Sequence, residues 1–371
     1  MPKVSVIILP FRKTHLIQPV FDAILAQTHK DLEVIAVIND SSDGSKELIQ
    51  QKYPQVKIIE PGWNSWFAVG NNLGIKASTG EFIQLVNDDL ILEPNYIEEM
   101  LKAFADSKVA AATGKILRYD FLNNQKTKII DTVGVNMSKS GRARDIGQNQ
   151  IDQGQFDSTL NPQPSTLVFG VSGAGPMYRK SALEKVKYCY KRNNKTVFAS
   201  EAKQSLFEKE IASSSRLDET SGDGTPRKDG LFCEYFDENF LAYWEDVDLS
   251  WRLNNAGFIN VYMPKALAYH GRTAGQAEGG YWHLFKFIKH HSILSKQVLR
   301  LNYKNHILMY LKNSKFIHPL FILREIVMLG YVIIFEMSTL KVLPELFRQI
   351  PGTLKKRKYQ LDKSGHMVKN V

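Results

Sequence analysis

The chain has 371 residues, of which 43% are hydrophobic and 11% aromatic, and its formal net charge is +10. This composition excludes an intrinsically disordered chain, and the length suits one large α/β domain with an appendage. Residues 281–371 carry 16 Lys or Arg and 4 Asp or Glu, a net charge of +12, and the remaining residues carry −2. Because the positive charge is confined to one end and no groove-reading motif is present, a nucleic-acid-binding protein is excluded.

Strand and helix patterns alternate in the first 110 residues. Strands are predicted at residues 4–9, 33–38, 57–60 and 82–86, and helices at residues 16–26, from 46, at 70–77 and from 94. This alternation predicts a mostly parallel sheet, in which ligands bind beyond the carboxyl ends of the strands. The first strand is not followed by Gly-x-Gly-x-x-Gly, which argues against an NAD-dependent enzyme.

The middle of the chain is less regular. Residues 115–164 are rich in Gly, Asn, Gln and Asp, which indicates loops and short strands. Residues 187–232 are rich in Ser, Glu, Lys and Gly, which predicts a disordered surface loop inserted into the domain. Cys189 and Cys233 have no metal-binding spacing and are expected to be reduced thiols of a cytosolic protein. The N-terminal apolar run breaks at Pro10 and does not predict a signal peptide.

The pattern after residue 281 is helical and amphipathic. Residues 326–335 form its longest uncharged apolar run, which is too short for a bilayer that needs about 20 residues. Two alternatives remain, a helix lying in the membrane interface and a packed helical appendage. The cluster Lys355-Lys356-Arg357-Lys358 suits an anionic membrane leaflet.

Two acidic clusters carry the chemistry. Asn87-Asp88-Asp89 directly follows the fourth predicted strand, and Glu245 and Asp246 come more than 150 residues later. Each has an ordinary explanation, because Asn and Asp favour turns after strands and acidic residues favour the first turn of a helix. Together they indicate a site that holds a divalent cation against a diphosphate and supplies a carboxylate base.

Several segments carry a family resemblance in a fixed order. They read VSVIIL from residue 4, EVIAVINDSSDGS from 33, NSWFAVGNNLG from 64, GEFIQLVNDD from 80, SGAGPMYR from 172 and FDENFLAYWEDVDLSWR from 236. These segments, followed by a lone His270, resemble the inverting family 2 glycosyltransferases. The resemblance is closest to the rhamnosyltransferase-like branch that builds bacterial surface polysaccharides.

The resemblance implies a fold and a reaction. Residues 1–275 are expected to form a GT-A domain of the α/β class, a Rossmann-like mixed sheet flanked by helices. Residues 276–371 are expected to form a basic amphipathic helical appendage. The implied reaction moves a sugar from a nucleotide-diphospho-sugar to a hydroxyl of a glycan or lipid-linked acceptor, with inversion and with Mg²⁺ or Mn²⁺. The expected location is the cytoplasm, peripheral on the inner face of the cell membrane.

The resemblance also assigns residues. The catalytic base is Asp246, paired with Glu245. The metal ligands are Asp89 and His270, although a lone histidine is equally often a structural residue. The donor-binding residues are Asn39, Asp40, Asp43, Asn64, Asn71, Asn87 and Asp88. The acceptor-side residues are Gly173, Ala174 and Trp244, where the alternative for the two small residues is tight packing.

Three features depart from the family pattern, and the first is Leu9-Pro10-Phe11-Arg12 after the first strand, where Pro-Thr-Tyr-Asn is usual. Ile38 stands where relatives carry an Asp that contacts the base of the nucleotide, so Asn39 or Asp40 would have to substitute. Trp66 stands where a glycine is usual. These departures keep open an alternative function, a catalytically weak or inactive homologue that binds nucleotide sugars.

Overall fold

The computed structural model describes residues 1–39, 42–157, 166–191, 231–271, 288 and 291–364. The strands are β1 Val4–Ile8, β2 Leu32–Val37, β3 Lys57–Ile59, β4 Phe82–Val86, β5 Leu90–Leu92, β6 Val109–Asp120, β7 Gln125–Thr132, β8 Val135–Met137, β9 Ala143–Asp145, β10 Thr166–Val168, β11 Met177–Arg179, β12 Tyr188–Lys191, β13 Leu231–Glu234 and β14 Ile259–His270. The helices are α1 Thr14–Leu25, α2 Ser45–Lys52, α3 Trp66–Ala77, α4 Tyr96–Leu101, α5 Lys180–Val186, α6 Glu245–Asn255, α7 Lys296–Asn313, α8 Pro319–Phe335 and α9 Leu343–Ser364.

One mixed sheet organises the first 270 residues. Its strand order is β10-β14-β6-β11-β4-β1-β2-β3, with β5 paired to β14 and β7 to β6. β1 runs parallel to both β2 and β4, so the carboxyl ends of these three strands lie at one edge. β11 is antiparallel to β4 and β6, between which it lies. The predicted alternation of parallel strands and helices is confirmed for the first 110 residues.

Apolar layers cover both faces of the sheet, as the uninterrupted apolar run of β1 requires. Val4, Val6 and Ile8 belong to a cluster on one face with α1 and α4. Ile7 belongs to the cluster on the other face with α3, α5 and α6. The end of the sheet that carries the triplet Asn87-Asp88-Asp89 is therefore supported by apolar packing on both faces.

In residues 115–157, loops alternate with strands as the composition indicated, but the pair of β6 and β7 is longer than the short strands expected. β6 has 12 residues and β7 has 8, and the two are paired. Polar side chains within them hid the pattern. Lys115, for example, is buried in β6, where its ammonium contacts Asp152 at 2.9 Å and Asp157 at 2.6 Å. Pairing with these loop carboxylates makes a lysine tolerable in a strand that reads as too polar.

The flanks of the predicted insertion are ordered strands. β12 and β13 pair antiparallel, and Cys189 and Cys233 form a disulfide between them. The expectation of two separate reduced thiols is therefore wrong for this structure. The loop predicted at residues 187–232 was also too long, because Tyr188, Tyr190 and Phe232, which alternate along the chain, belong to the paired strands of this hairpin. Residues 192–230, the rest of that prediction, lie outside the described residues.

A buried charge cluster joins the C-terminal helices to the sheet domain. Its members are Glu234, Asp237, Asp248, Arg252, Lys312 and Lys356. Lys312 of α7 contacts Asp237 at 2.5 Å and Asp248 at 2.8 Å, and Lys356 of α9 contacts Glu234 and Asp237. Of the two alternatives for the C-terminal part, α7 and α9 thus form a packed appendage.

The basic tetrad at residues 355–358 is not a uniform membrane-facing patch. Lys356 is buried in the charge cluster, and Arg357 donates to the carbonyls of Leu311 and Lys315. Lys355 and Lys358 are exposed. Each helix in the described part of the chain is too short or too polar to cross a bilayer.

Candidate active site

One loop touches both acidic clusters. After β4, the Asn87 backbone N–H donates to the carbonyl of Ala174 at 3.0 Å. The neighbouring Gly173 N–H donates to Asp246 Oδ2 at 2.8 Å. The triplet after β4 and the carboxylate of α6, far apart in sequence, therefore meet across two consecutive residues.

Gly173 permits this close approach. A Cβ at this position would lie 3.2 Å from Phe67 Cζ and 3.4 Å from Asp246 Oδ2. Any larger side chain would have to displace Phe67 or the carboxylate. Both predicted acceptor-side residues of the loop thus lie beside the predicted base, in a tightly packed arrangement.

Asp246 lies at the start of α6 and is partly exposed. Its Oδ1 accepts the Val247 N–H at 2.7 Å, and its Oδ2 accepts the Gly173 N–H. Burial raises the pKa of Asp246 to about 6, although the two backbone N–H donors pull it down. A carboxylate with such a pKa is ionised at neutral pH and still basic enough to accept a proton.

Glu245 differs from its neighbour. Its side chain is buried, and burial followed by repulsion from Asp246 raises its pKa well above the usual range. Its Oε2 has no hydrogen-bond partner among the described residues. Burial and the neighbouring Asp246 therefore favour the neutral form of Glu245, which makes it less suited than Asp246 as a general base.

The loop before α6 is strained and is held by the C-terminal helices. Tyr243 and Trp244 have φ angles of 70° and 73°, in the left-handed region that non-glycine residues rarely adopt. Asn305 of α7 donates to the carbonyls of Phe240, Ala242 and Tyr243 at 2.8–2.9 Å. Sequence patterns did not reveal Asn305, which fixes the approach to the base from outside the sheet domain.

Asp89 and His270 meet at the end of β4. Asp89 Oδ1 is 3.0 Å from His270 Nε2, and His270 Nδ1 is 2.9 Å from Asp131 Oδ2. Burial alone would lower the pKa of His270, but the hydrogen bonds with Asp131 and Asp89 outweigh it and raise the pKa to about 9. The two predicted metal ligands are thus adjacent, and Asp131 is a partner that the sequence did not indicate.

Lys13 lies against the same carboxylates. Its Nζ is 2.8 Å from Asp88 Oδ1 and 2.9 Å from Asp89 Oδ2. Burial tends to lower the pKa of Lys13, but the attraction of Asp88 and Asp89 outweighs it and raises the pKa. The described residues contain no group of three or more His, Cys, Asp or Glu arranged to hold a metal ion.

The other predicted donor residues lie around the ends of β2 and α3. Asn39 is buried and accepts from the Ser65 N–H at 2.9 Å, and Asp43 accepts from the Ser45 hydroxyl at 2.8 Å.

Asn64, just before α3, accepts from the Trp66 N–H at 3.0 Å. Asn71 is buried inside α3 rather than in a turn, and donates to the Phe67 carbonyl. Their roles in donor binding stay predictions, and Asp40 lies outside the described residues.

Two of the departures from the family pattern have structural consequences. Ile38 is buried in the core and cannot reach a ligand in this conformation. Trp66 has a φ of 56°, the left-handed conformation that explains why a glycine is usual there.

Asn72 was missed as a positioning residue. Its amide accepts from the Phe236 N–H at 2.8 Å and donates to the Phe236 carbonyl at 2.9 Å. It therefore ties α3 to the segment that leads to Asp246. A fully buried asparagine within a helix is the signal that could have revealed it.

Trp244 lines a cavity of about 220 Å³ between α7, α8 and the loop before α6. Its Nε1 donates to Asn302 Oδ1 at 3.1 Å, and its ring packs edge-on against His306. Polar side chains such as Tyr303 and Arg324 and apolar ones such as Met328 complete the wall. The third predicted acceptor-side residue thus faces the C-terminal helices.

Comparison with known proteins decides the family. The profile of glycosyl transferase family 2 matches residues 5–187. These residues form a family 2 glycosyltransferase domain. The match includes the triplet after β4 and the loop at Gly173, and it ends before Asp246. The family match therefore does not locate the base, whose place depends on the geometry described above.

Relatives of known sequence share only part of their length with this chain. An uncharacterized glycosyltransferase of Nostoc sp. is 30% identical over 110 residues, 29% of this chain and 34% of that protein. Chondroitin synthase of Pasteurella multocida is 32% identical over 114 residues, 30% of this chain and 12% of that protein. The chain thus matches about a third or less of the length of these relatives.

Solved structures confirm the fold. GalNAc-T7, crystallised with UDP, GalNAc and Mn²⁺, gives a TM-score of 0.51 at 9% identity, over 84% of this chain and 48% of that one. A fragment of S. aureus TarS in complex with UDP-GlcNAc gives 0.50 at 12% identity, over 98% and 89%. At such low identities the likeness shows the fold alone, which is the predicted GT-A fold.

Proposed function

We propose that this protein transfers a hexosyl or deoxyhexosyl group from a nucleotide-diphospho-sugar to a hydroxyl of a glycan or lipid-linked acceptor, with inversion, in the synthesis of bacterial surface polysaccharide. The observation that carries the proposal is the loop at Gly173 and Ala174, which contacts both Asp246 and Asn87. Because one short loop spans both acidic groups, a single bound sugar lies within reach of a base on one side and a diphosphate site on the other.

Asp246 is the base of the proposed reaction. It takes the proton from the acceptor hydroxyl while that oxygen forms a bond to the anomeric carbon of the donor. The bond from that carbon to the diphosphate breaks on the opposite face, so the configuration inverts. The backbone N–H groups of Gly173 and Val247 hold the carboxylate in place, and such a base contributes about 10²–10⁴ in rate.

The residues after β4 fit a divalent cation that is shared with a diphosphate. Mg²⁺ and Mn²⁺ prefer oxygen ligands, and Mn²⁺, the softer of the two, also accepts imidazole; one or two protein ligands are enough where a substrate diphosphate supplies further oxygens. Asp89 and His270 would hold the cation, and Asp131 would orient the imidazole from its far side, as is common for metal-binding histidines. The bound cation would stabilise negative charge on the leaving diphosphate.

A second candidate function is a nucleotide-sugar binder with little or no turnover. The buried Ile38 favours it, because this residue cannot supply the contact to the nucleotide base that relatives make from that position. Asn39 does not replace it in this conformation, since its side-chain oxygen is engaged with Ser65.

A donor screen tests both candidates. We expect at least one UDP-, GDP- or dTDP-sugar with Mn²⁺ to raise the melting temperature, because a ligand at 100 times its Kd stabilises a folded protein by about 2.7 kcal/mol. We also expect the matching nucleoside diphosphate to be released in a chromatographic assay. Stabilisation without release across a panel of acceptors would support the binder instead, and no stabilisation by any donor would contradict both.

We also propose that the protein is peripheral on the inner face of the cell membrane, where the acceptor would be lipid-linked. The support is α8, whose outward side chains remain apolar and exposed, including Leu323, Ile326, Val327 and Ile334. A folded protein rarely leaves so many neighbouring aliphatic residues uncovered unless they contact another apolar phase.

Replacing Ile326 and Ile334 with Glu is expected to lower binding to vesicles of phosphatidylglycerol and phosphatidylcholine by at least about tenfold. Each aliphatic side chain buried in an apolar phase contributes up to about 1.5–3 kcal/mol. Co-sedimentation of the full chain measures the bound fraction. Leu122→Glu is the matched control, because Leu122 is 97% exposed in the turn between β6 and β7. Equal sedimentation of the double variant and the wild type would remove α8 as the membrane-binding surface.

A further inference from the structure

The loop after β1 places an ammonium group at the diphosphate site. Lys13 Nζ lies between the two carboxylates of the triplet, at 2.8 Å from Asp88 and 2.9 Å from Asp89. The same loop is attached to the triplet a second time, because the Phe11 N–H donates to Asp88 Oδ2 at 3.0 Å. Lys13 is therefore held at this position by its backbone surroundings as well as by its charge.

The position of Lys13 is the one where a donor diphosphate is expected. The carboxyl ends of β1 and β4 are adjacent, and ligands of such sheets bind at this edge. The Lys13 side chain is 23% exposed, whereas Lys312 in the buried charge cluster is 2% exposed. An incoming phosphate can reach the first lysine and not the second.

The contacts of Lys13 and its neighbouring carboxylates are compatible with binding of a phosphate by Lys13. An ammonium has three N–H donors, and Asp88 and Asp89 account for two of the donors of Lys13. Two of the carboxylates near His270, Asp89 and Asp131, are satisfied by the imidazole. A diphosphate that approaches three carboxylates would otherwise meet a repulsive surface, and Lys13 is the basic side chain that lies directly between two of them.

We propose that Lys13 is a second cationic ligand of the donor diphosphate, supplied by the chain itself, and that it shares Asp89 with the divalent cation. This inference rests on the proposed function. It predicts that the protein retains measurable affinity for nucleoside diphosphates when divalent cations are removed. It also predicts that the Lys13 ammonium weakens Mn²⁺ binding at Asp89, because it pairs with Oδ2 of the same carboxylate.

Calorimetric titration of the full chain tests the proposal with UDP and GDP as probes, once in EDTA and once in Mn²⁺. The wild type is expected to bind one of them in EDTA, and Lys13→Met to weaken that binding by about 10- to 100-fold, the usual effect of losing a hydrogen bond to a charged group. Electron paramagnetic resonance of free Mn²⁺ is expected to show tighter Mn²⁺ binding by Lys13→Met. Lys13→Arg is expected to keep most of the affinity in EDTA.

Lys46→Met is the matched control, since Lys46 pairs with Glu60 at 2.9 Å on the surface near α2 and does not touch the triplet. Nucleotide binding by the wild type in Mn²⁺ but not in EDTA would overturn the role of Lys13 and leave the proposed function intact. Unchanged affinity of Lys13→Met in EDTA, with normal thermal unfolding, would also overturn it. If Lys13→Met does not fold, Lys13→Gln takes its place. A loss of nucleotide affinity in Lys13→Gln would support the role of Lys13, and unchanged affinity would overturn it. Absence of binding by the wild type in both conditions would overturn the proposed function as well.

Discussion

Substitution of Asp246 by Asn is expected to lower the rate of sugar transfer by about 10²–10⁴-fold while the affinity for the donor stays close to that of the wild type. The amide has nearly the same shape and can still accept the Gly173 N–H through its oxygen, so the loop at Gly173 keeps its place. What is lost is the ability to accept a proton from the acceptor hydroxyl. Steady-state kinetics with the donor identified in the screen measures kcat and the donor KM separately.

Asp120→Asn is a suitable control for this substitution, because Asp120 lies at the end of β6 and its carboxylate accepts hydrogen bonds from Leu122 and Asn123 of the adjacent turn. Its transfer rate should match the wild type. Wild-type turnover by Asp246→Asn would remove Asp246 as the base and would return Glu245 to consideration, despite its burial.

Asp246 also determines how the value of kcat/KM is expected to depend on pH. Because the pKa of Asp246 is raised to about 6, the base is protonated and inactive below that pH and ionised above it. The value of kcat/KM should therefore rise about tenfold per pH unit below pH 6 and level off above it. A profile measured from pH 5 to 8 with no acid limb near 6 would contradict the assignment.

Lys312→Met is expected to lower the free energy of unfolding by about 3–5 kcal/mol. Methionine keeps most of the apolar length of the side chain, so the main loss is the positive charge between Asp237 and Asp248. These two carboxylates would remain buried with fewer compensating partners, which is costly in a region shielded from water. Urea unfolding followed by circular dichroism measures the change.

A control and a compensating variant separate charge from packing. Lys315→Met, three residues further along and exposed, should change the free energy of unfolding by no more than about 0.5 kcal/mol. Lys312→Met combined with Asp237→Asn should recover part of the loss, because one uncompensated charge is removed. If Lys312→Met alone were as stable as Lys315→Met, the buried charge cluster would not be what holds α7 and α9 against the sheet domain.

Much of the fold could be predicted because its main strands are uninterrupted apolar runs. β4 is predicted at its observed bounds, since Phe82 to Val86 are buried on both faces and are followed at once by polar residues. The acidic clusters could be found for the same reason, as each lies where an apolar element begins or ends. A family resemblance then placed Asp89 and Asp246 in one site, which no local pattern could do.

The remaining partners could not be predicted because they depend on contacts between distant segments. Lys13 and Asp89 are 76 residues apart, and Asp131 and His270 are 139 apart. Lys356 lies in a run that reads as a solvated basic patch, yet it is buried against Glu234, 122 residues earlier. A charged side chain looks the same in a sequence whether water or a buried carboxylate surrounds it.

Because β12 and β13 pair with each other, the length of the segment between them can change without altering the rest of the fold. Lys191 and Leu231 are directly opposite each other in the pairing, so the chain departs and returns at one point. Lengthening a closed excursion costs little, about 0.6 kcal/mol for each doubling. Evolution can therefore add, trim or exchange sequence there while the strands and helices on either side keep their positions, which makes this junction a natural place to graft a new module.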